Sequence, residues 1–478
     1  MQTTLVVDLD GTLLKTDLLI ETASQFLIDH PWHFYKLILW LAEGRSALKS
    51  HLAQASKIDV ASLPYNDELL TWLRTEKTQG RSIVLATASH QALADKIAAH
   101  LGLFDDVLAT GGTTNLKAEV KRDALIARFG VRGFDYVGND WPDVSVWRSA
   151  AKAHVVSRSP RLIETVQGLG NLGFTMSDAK PALPRAFLKA MRPHQWMKNL
   201  LVFIPLLAAH EYTNALSVGH AVLAFMVFGL TASSAYLLND IVDVADDRHH
   251  RRKRHRPFAA GHLSLLHGWI AWPLLLVAAF VLAGPLGGLP WKFIASLSAY
   301  FVLTMAYSIR LKQAAVVDVL VLALLYTLRI VAGATAIGVP LSFWLLSFSM
   351  FIFFSLALVK RYSELRSARD AGIEGLLRGR GYDPQDLALV SSLGGAAGYS
   401  AVVVLALYIQ DARTASFYES PMFIWPACPL LLFWITRVWL IAHRGYMHDD
   451  PIVFAIKDPA SWLVGALFIS IFMIAKFV

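Results

Sequence analysis

At 478 residues, 55% hydrophobic and 17% charged, the chain is too apolar for a disordered protein, and at about 100–200 residues per domain it holds two to four domains. A single cysteine, Cys428, excludes a disulfide framework and a cysteine-built zinc site. The formal net charge of +8 is compatible with nucleic acid, a membrane surface or phosphorylated substrates, and the positions of the charges decide among these.

Up to about Ala182, polar and apolar stretches alternate and charges are frequent, as in a soluble α/β domain. Residues Thr4 to Val7 form an apolar strand that runs into Asp8, Asp10 and the turn at Gly11. Carboxylates at i and i+2 point to one side, beyond the C-terminal end of the strand, where open α/β sheets place their sites. One such Asp can attack phosphorus and the other can protonate the leaving oxygen and then activate water. A Mg2+ ion would offset their repulsion and the charge of the phosphate. Leu18, Leu19, Phe26, Leu27, Phe34, Leu37, Leu39 and Leu41 recur at near-helical spacing, so the insert from Lys15 to about Gln79 is expected to be helical. Ser82 to Thr87 reads as a second buried strand ending in a hydroxyl. Lys121 opens a helix, and Phe134 to Asp143 reads as a third strand ending in an acidic turn.

The segment Asp8-Leu9-Asp10-Gly11-Thr12 resembles the first motif of the haloacid dehalogenase superfamily of phosphatases, and the later segments follow that superfamily's order. The resemblance implies a Rossmann-like α/β domain over 1–156, with a small helical cap at about 15–79 that closes over substrate. It implies that Asp8 is the nucleophile and Asp10 the acid and base. It implies that Thr87 holds the transferred phosphoryl group and that Lys121, with Lys117 as competitor, stabilises the aspartyl-phosphate. Asn139 stands where the family usually has Asp and offers a neutral oxygen, so Asp140 or Asp143 would complete the metal ligands beside Asp8 and Asp10. Residues 157–184, with Pro160, Gly168, Gly170, Gly173, Pro181 and Pro184, are expected to be a linker to the part spanning 185–478.

After Pro193 come nine apolar runs, at about 196–211, 218–238, 266–284, 291–308, 314–333, 341–359, 387–409, 421–441 and 460–477. Each is near the ~20 residues that span a hydrocarbon core, so an all-α polytopic bundle of about nine transmembrane helices is expected. Arg185, Lys189, Arg192 and Lys198 flank the first run, and a basic stretch from Arg248 to Arg256 follows the second. Arg310 and Lys312 follow the fourth, Lys360, Arg361, Arg366 and Arg369 the sixth, and Arg437 and Arg444 the eighth. The loops at 284–290 and 335–340 carry no such charge. This alternation fits the positive-inside rule and places the N-terminal domain in the cytoplasm and the C-terminus outside a plasma (inner) membrane. No signal peptide is expected, because Asp8 and Asp10 fall where its apolar core would lie. The basic excess belongs to a membrane face, with no nucleic-acid module.

At the end of the second run, Asn239, Asp243 and Asp247 are spaced by four and share a helix face, with Asp240 and Asp246 beside it. Acids at the end of a span are costly, so they need a cation: either Arg248, Arg251 and Arg252, or a Mg2+ ion that holds a pyrophosphate. Lys253, Arg254 and Arg256 would add phosphate contacts.

Asn-Asp-x-x-Asp-x-x-x-Asp in such a protein resembles the UbiA superfamily of intramembrane prenyltransferases, over roughly 185–478. That resemblance implies a helical bundle whose two acid-rich motifs bind a Mg-diphosphate. The second motif, Tyr307 to Asp318, has Ala314 where the usual form has an acid, leaving Asp318. The pattern from Tyr307 through Lys312 to Asp318, with Arg192–Asn199, Phe258–Gly261, Leu328–Gly333, Lys360–Leu365 and Asp450–Asp458, resembles the subgroup containing decaprenyl-phosphate phosphoribosyltransferase. The resemblance implies transfer of phosphoribose from phosphoribosyl pyrophosphate to a polyprenyl phosphate, with Asp243 and Lys312 in catalysis and Lys198, Lys312, Lys360 and Arg361 as phosphate ligands. The cytoplasmic domain would then remove the 5-phosphate. The alternatives are prenyl transfer from a prenyl diphosphate to an aromatic acceptor, and a non-catalytic N-terminal domain. Arg329, near mid-span, is either functional or paired with Asp318 or a backbone carbonyl. Asp449, Asp450, Lys457 and Asp458 are site residues or ordinary loop charges.

Overall fold

The computed structural model describes residues 3–111, 116, 118–177, 180–377, 380–411, 418–447 and 450–477. The chain divides into two compact units, one of Met1–Met191 with Tyr236–Trp272 and one of Arg192–Ala235 with Pro273–Val478.

The first unit is built on a six-stranded parallel sheet of β1 (Thr4–Val7), β2 (Ile83–His90), β3 (Asp106–Thr110), β4 (Phe134–Gly138), β5 (Ala153–Val156) and β6 (Leu172–Met176), in the order β3-β2-β1-β4-β5-β6. The inner strands are largely apolar because both faces are covered. Leu5 and Val7 enter one core with Leu85 and Ile97, while Val6 turns to the other with Tyr136 and Trp147. Between β1 and β2 lie α1 (Leu18–Asp29), α2 (Phe34–Ala42), α3 (Arg45–Ala55) and α4 (Asp67–Thr78). Asp17 caps α1 by accepting from Leu19 N at 2.8 Å. Phe26, Leu48 and Leu52 form a small core of their own, so α1 to α3 are a separate layer. Leu69 and Leu73 of α4 enter the core of the sheet instead. Then come α5 (Gln91–Leu101), α6 (Glu119–Phe129), α7 (Val144–Trp147), α8 (Pro160–Gln167) and α9 (Leu183–Met191).

The expected linker at 157–184 needs correction, because α8 and β6 occupy its first part. Ser159 caps α8, Pro160 starts it, and Leu162 and Val166 are buried against the sheet. Strand β6 pairs with β5 and forms the edge. Glycines and prolines mark its ends, which is why the segment reads as a loop.

Past α9 come α10 (Ile204–Ala208), α11 (Ala215–Val242), α12 (Val244–His249) and α13 (Leu265–Ala283). The last turns of α11, all of α12 and the start of α13 belong to the first unit. The second unit continues with α14 (Trp291–Ile309), α15 (Val317–Ile337), α16 (Phe343–Asp370), α17 (Leu387–Gln410), α18 (Ala427–Arg444), α19 (Pro451–Lys457) and α20 (Pro459–Phe477). Small residues bring these helices close: Gly394 lies under Trp439, and Gly398 lies against Ser355 and Ile435.

Among the described residues, eight helices are long and apolar enough to cross a membrane, where nine were expected. The run at 196–211 is not among them. It is a 3-10 stretch, Pro193–Phe203, followed by the five-residue α10. Pro205 opens that helix, and the buried side chain of Asn199 is committed to Arg329.

Candidate active sites

In the first unit, β1 delivers Asp8 and Asp10 to a cavity of about 290 Å³. Lys121, on the first turn of α6 and buried, donates to Asp8 Oδ1 at 2.6 Å and to Tyr136 Oη at 3.0 Å. Thr12 Oγ1 lies 3.2 Å from Asp8 Oδ2 and 3.0 Å from Asn139 Oδ1, joining the two motifs. Gly11, at φ +77°, is required here, since a Cβ would collide with Asn139. Burial pushes the Asp8 carboxyl up to about 7, against the pull of Lys121 and with Asp143 adding to the rise. Burial, then the charge of Asp17, raises Asp10 as well.

Asp10 accepts from Leu18 N at 2.7 Å, from Ser89 Oγ at 2.7 Å and from Thr87 Oγ1 at 3.4 Å. Thr87 is fully buried, and of these two hydroxyl residues it is Ser89 that lines the cavity. The signal for Ser89 was present in its i+2 spacing from Thr87 along a strand. Asp143 accepts from Tyr136 Oη and from the backbone N–H of Asn139 and Asp140, which shapes the acidic turn. Asp140 is exposed and caps Trp141 N at 2.8 Å. Arg45 and Lys49 of α3 also line the cavity, and sequence reasoning passed over both. Lys117, the competitor of Lys121, lies outside the described residues.

Mg2+ binds through one or two carboxylates together with substrate phosphates and water. Among the described residues no three Asp, Glu, His or Cys side chains converge as a metal cluster. Asp8, Asp10 and the amide oxygen of Asn139 nonetheless form a donor set of that hard, sparse kind.

The acid-rich segment sorts into two pairs. Helix α11 ends at Val242 and α12 begins at Val244, with Asp243 between them, and the side chain of Asp247 bonds to Arg256 while that of Asp243 accepts from Asn239. Asn239 Nδ2 donates to Asp243 Oδ2 at 3.1 Å, and both residues are half-buried. Asp240 and Asp247 are buried, and Arg256 joins them at 3.1 and 2.6 Å. Lys253 Nζ is 3.8 Å from Asp247, while Arg254 is exposed. Asn239 and Asp243 supply the hard oxygens that fit a Mg-diphosphate, whereas Arg256, expected on phosphate, serves as a counter-ion. The neighbouring Arg248 binds Glu21 of α1 in bidentate fashion at 2.7 and 3.1 Å, and Trp269 Nε1 donates to Ser24 Oγ at 2.8 Å.

In the second unit, Lys198 and Lys360 converge on Asp450, at 2.8 and 3.5 Å, with Tyr326 Oη at 3.2 Å. Burial opposes ionisation of Asp450, but the two lysines outweigh it and hold its carboxyl far below the usual range. Asp318 pairs with the fully buried Arg361 at 2.5 Å and accepts from Tyr382 Oη at 2.8 Å. Tyr382 also accepts from Val316 N, the residue held at φ +68° just before α15. Arg361 reaches Glu364 too. Two expected ligands, Asp318 and Arg361, are therefore bound to each other. Lys312 lies half-buried in a 3-10 turn, Leu311–Gln313. Arg329 donates to Asn199 Oδ1 at 2.9 Å, Leu325 O at 2.6 Å and Tyr300 Oη at 2.9 Å, and does not pair with Asp318. Asp458 is held by Arg437, and Asp449 lies outside the described residues.

The haloacid dehalogenase-like hydrolase profile matches residues 5–138, and the UbiA prenyltransferase family profile matches residues 200–472. An uncharacterized protein of Sinorhizobium fredii is 36% identical over 472 residues, covering 98% of this chain and 90% of its own. The nodulation protein NoeC of Azorhizobium caulinodans is 39% identical over 281 residues, 58% of this chain and 88% of its own. The decaprenyl-phosphate phosphoribosyltransferase of Mycolicibacterium smegmatis is 35% identical over 288 residues, 58% of this chain and 87% of its own. With more than half of its length matched and, among the described residues, eight helices fit to cross a bilayer, the chain belongs to the UbiA prenyltransferase family, as an integral membrane transferase with an N-terminal haloacid dehalogenase-like domain.

Proposed function

We propose that this protein transfers 5-phosphoribose from phosphoribosyl pyrophosphate to a polyprenyl phosphate, and that its N-terminal domain then removes the 5-phosphate. The observation that carries the transferase reading is the state of the second acidic motif. Position 314 is Ala, and Asp318 is neutralised by Arg361 and accepts a hydrogen bond from Tyr382. A prenyl diphosphate bound through several Mg2+ ions calls for two full acidic motifs. One Mg-pyrophosphate on Asn239 and Asp243 suits the departure of pyrophosphate from C1 of a ribose.

In this reading Asn239 and Asp243 orient the donor, and Lys312 neutralises charge on the leaving group. Lys198 and Lys360 release Asp450 to engage the phosphate of the acceptor, whose oxygen attacks C1. Bound Mg2+ would supply Lewis-acid stabilisation of the departing pyrophosphate. In the hydrolase, Asp8 attacks phosphorus while Lys121 offsets charge on the phosphoryl oxygens. The raised pKa of Asp10 suits a group that hands its proton to the leaving ribose oxygen. Both sites face the cytoplasm, where soluble phosphoribosyl pyrophosphate is available. The acceptor is a membrane lipid, and nucleic acid has no part in the reaction.

The test uses purified full-length protein with Mg2+, labelled phosphoribosyl pyrophosphate and a polyprenyl phosphate. Label in the lipid phase supports the transferase. Absence of label, with turnover of a prenyl diphosphate and an aromatic acceptor, overturns it. A product that keeps its 5-phosphate when Asp8 is intact overturns the hydrolase step alone.

A further inference from the structure

The first unit contains a second cavity, of about 460 Å³, lined by Arg158, Lys180, Arg185, Lys189, Pro257 and His262 among the described residues. No carboxylate is among these lining residues. The four cations come from three places in the fold. Arg158 follows β5, Lys180 follows β6, and Arg185 and Lys189 stand one turn apart on α9. Arg158 is fixed in place, donating to Ser177 Oγ at 3.1 Å and to Lys180 O at 2.5 Å. Lys189 Nζ lies 3.5 Å from His255 O.

A topological role accounts for Arg185 and Lys189, which precede the membrane spans closely. It does not account for Arg158 and Lys180, which the sheet domain supplies. Arg158, Arg185 and Lys189 are like charges around one cavity and repel each other, and an anion seated among them would relieve that repulsion. Arginine and lysine together match phosphate, the arginines by paired N–H donors and the lysines as point charges. Helix α9 also exposes Leu183 (51%) and Leu188 (57%) beside its cations, the pattern of a helix lying at a lipid interface.

We propose that this cavity is a phosphate-binding site, separate from the carboxylate site of the hydrolase and from the acid-rich segment. Its ligand is a phosphate anion, either the headgroup of an anionic phospholipid or a free phosphate. The site does not depend on which transfer reaction the protein performs.

The experiment takes full-length protein in maltoside detergent and compares phosphatidylglycerol with phosphatidylcholine by native mass spectrometry. Inorganic phosphate is titrated in parallel with thermal stability as the readout. A retained phosphatidylglycerol that phosphate displaces identifies the lipid headgroup as the source. Stabilisation by inorganic phosphate without a lipid adduct identifies a soluble one. In either case Arg158→Gln with Arg185→Gln weakens binding about tenfold or more, and Arg158→Lys with Arg185→Lys keeps it within about threefold. Equal binding by wild type and the glutamine variant overturns the proposal. So does wild-type protein that does not distinguish the two lipids and gains no stability from phosphate, a result that needs no variant to fold.

Discussion

Two groups of carboxylates in the first unit meet their cations in different ways. Asp8 and Asp10 line a cavity, with Lys121 on one side and hydroxyls on the other. Asp240 and Asp247 are each 1% exposed and are clasped by Arg256. In the first group the cation leaves room for a phosphate. In the second the cation has taken the ligand's place, while Asn239 and Asp243 beside it are half-buried. An acid-rich motif thus holds two populations, and burial together with the counter-ion separates the clasp residues from those proposed as ligands.

The largest expected effect tests the open group. Asp8→Asn removes the attacking oxygen, so release of phosphate should fall on the order of 1000-fold or more while label still enters the lipid phase. Loss of both activities together would show that the two sites are not separable. Within the acid-rich segment, Asp243→Asn should lower transfer about 100-fold, with an increase in the Mg2+ needed for half-maximal rate. Asp240→Asn should act mainly on thermal stability and leave that Mg2+ dependence in place. The opposite pattern would reverse the assignment of ligand and clasp.

A fourth substitution concerns the clasp that ties this segment to α1. Arg248 and Glu21 are both buried, and their pairing is bidentate. Arg248→Ala strands a buried carboxylate, which costs about 3–5 kcal/mol. Denaturation should show that loss, and hydrogen exchange should rise first along Leu18–Asp29. The same helix gives its Leu18 N–H to Asp10, so phosphatase rate should fall with it. Unchanged exchange along α1 would reduce the pair to a surface contact.

How much of this was legible in the sequence depends on the range of each partner. Asp8, Asp10 and the strand before them are adjacent, and local spacing was enough to place them at one strand end. Lys121 needed a resemblance, because its partner lies 113 positions away. Asp318 and Arg361 each look like ligands from their own surroundings, and only packing shows that they neutralise each other. Arg329 finds Asn199 across 130 positions, and no periodicity encodes that distance. The broken run at 196–211 and the misjudged linker share one cause. Hydropathy and glycine content do not sense where a proline breaks a helix or where a strand joins an edge.

The smallest effect concerns a buried base outside both groups. His154, on β5, stacks on Phe174 at 4.3 Å, lies 5.4 Å from Trp72 and accepts from Phe174 N at 3.2 Å. Burial lowers its pKa from 6.5 to about 4. Asp135 and Glu76 oppose that shift, and Arg81 and Lys152 add to it. The folded chain therefore keeps the ring neutral where the unfolded chain takes up a proton. Stability is fully present above pH 6.5 and is lost as the pH falls towards 4. At about pH 5 the loss is on the order of 2 kcal/mol. Denaturation of the full-length protein at pH 7.5 and 5 should show that difference, and His154→Gln, which keeps an acceptor for Phe174 N but cannot titrate, should remove it. A slope that survives the substitution would move the acid sensitivity to the carboxylate groups themselves.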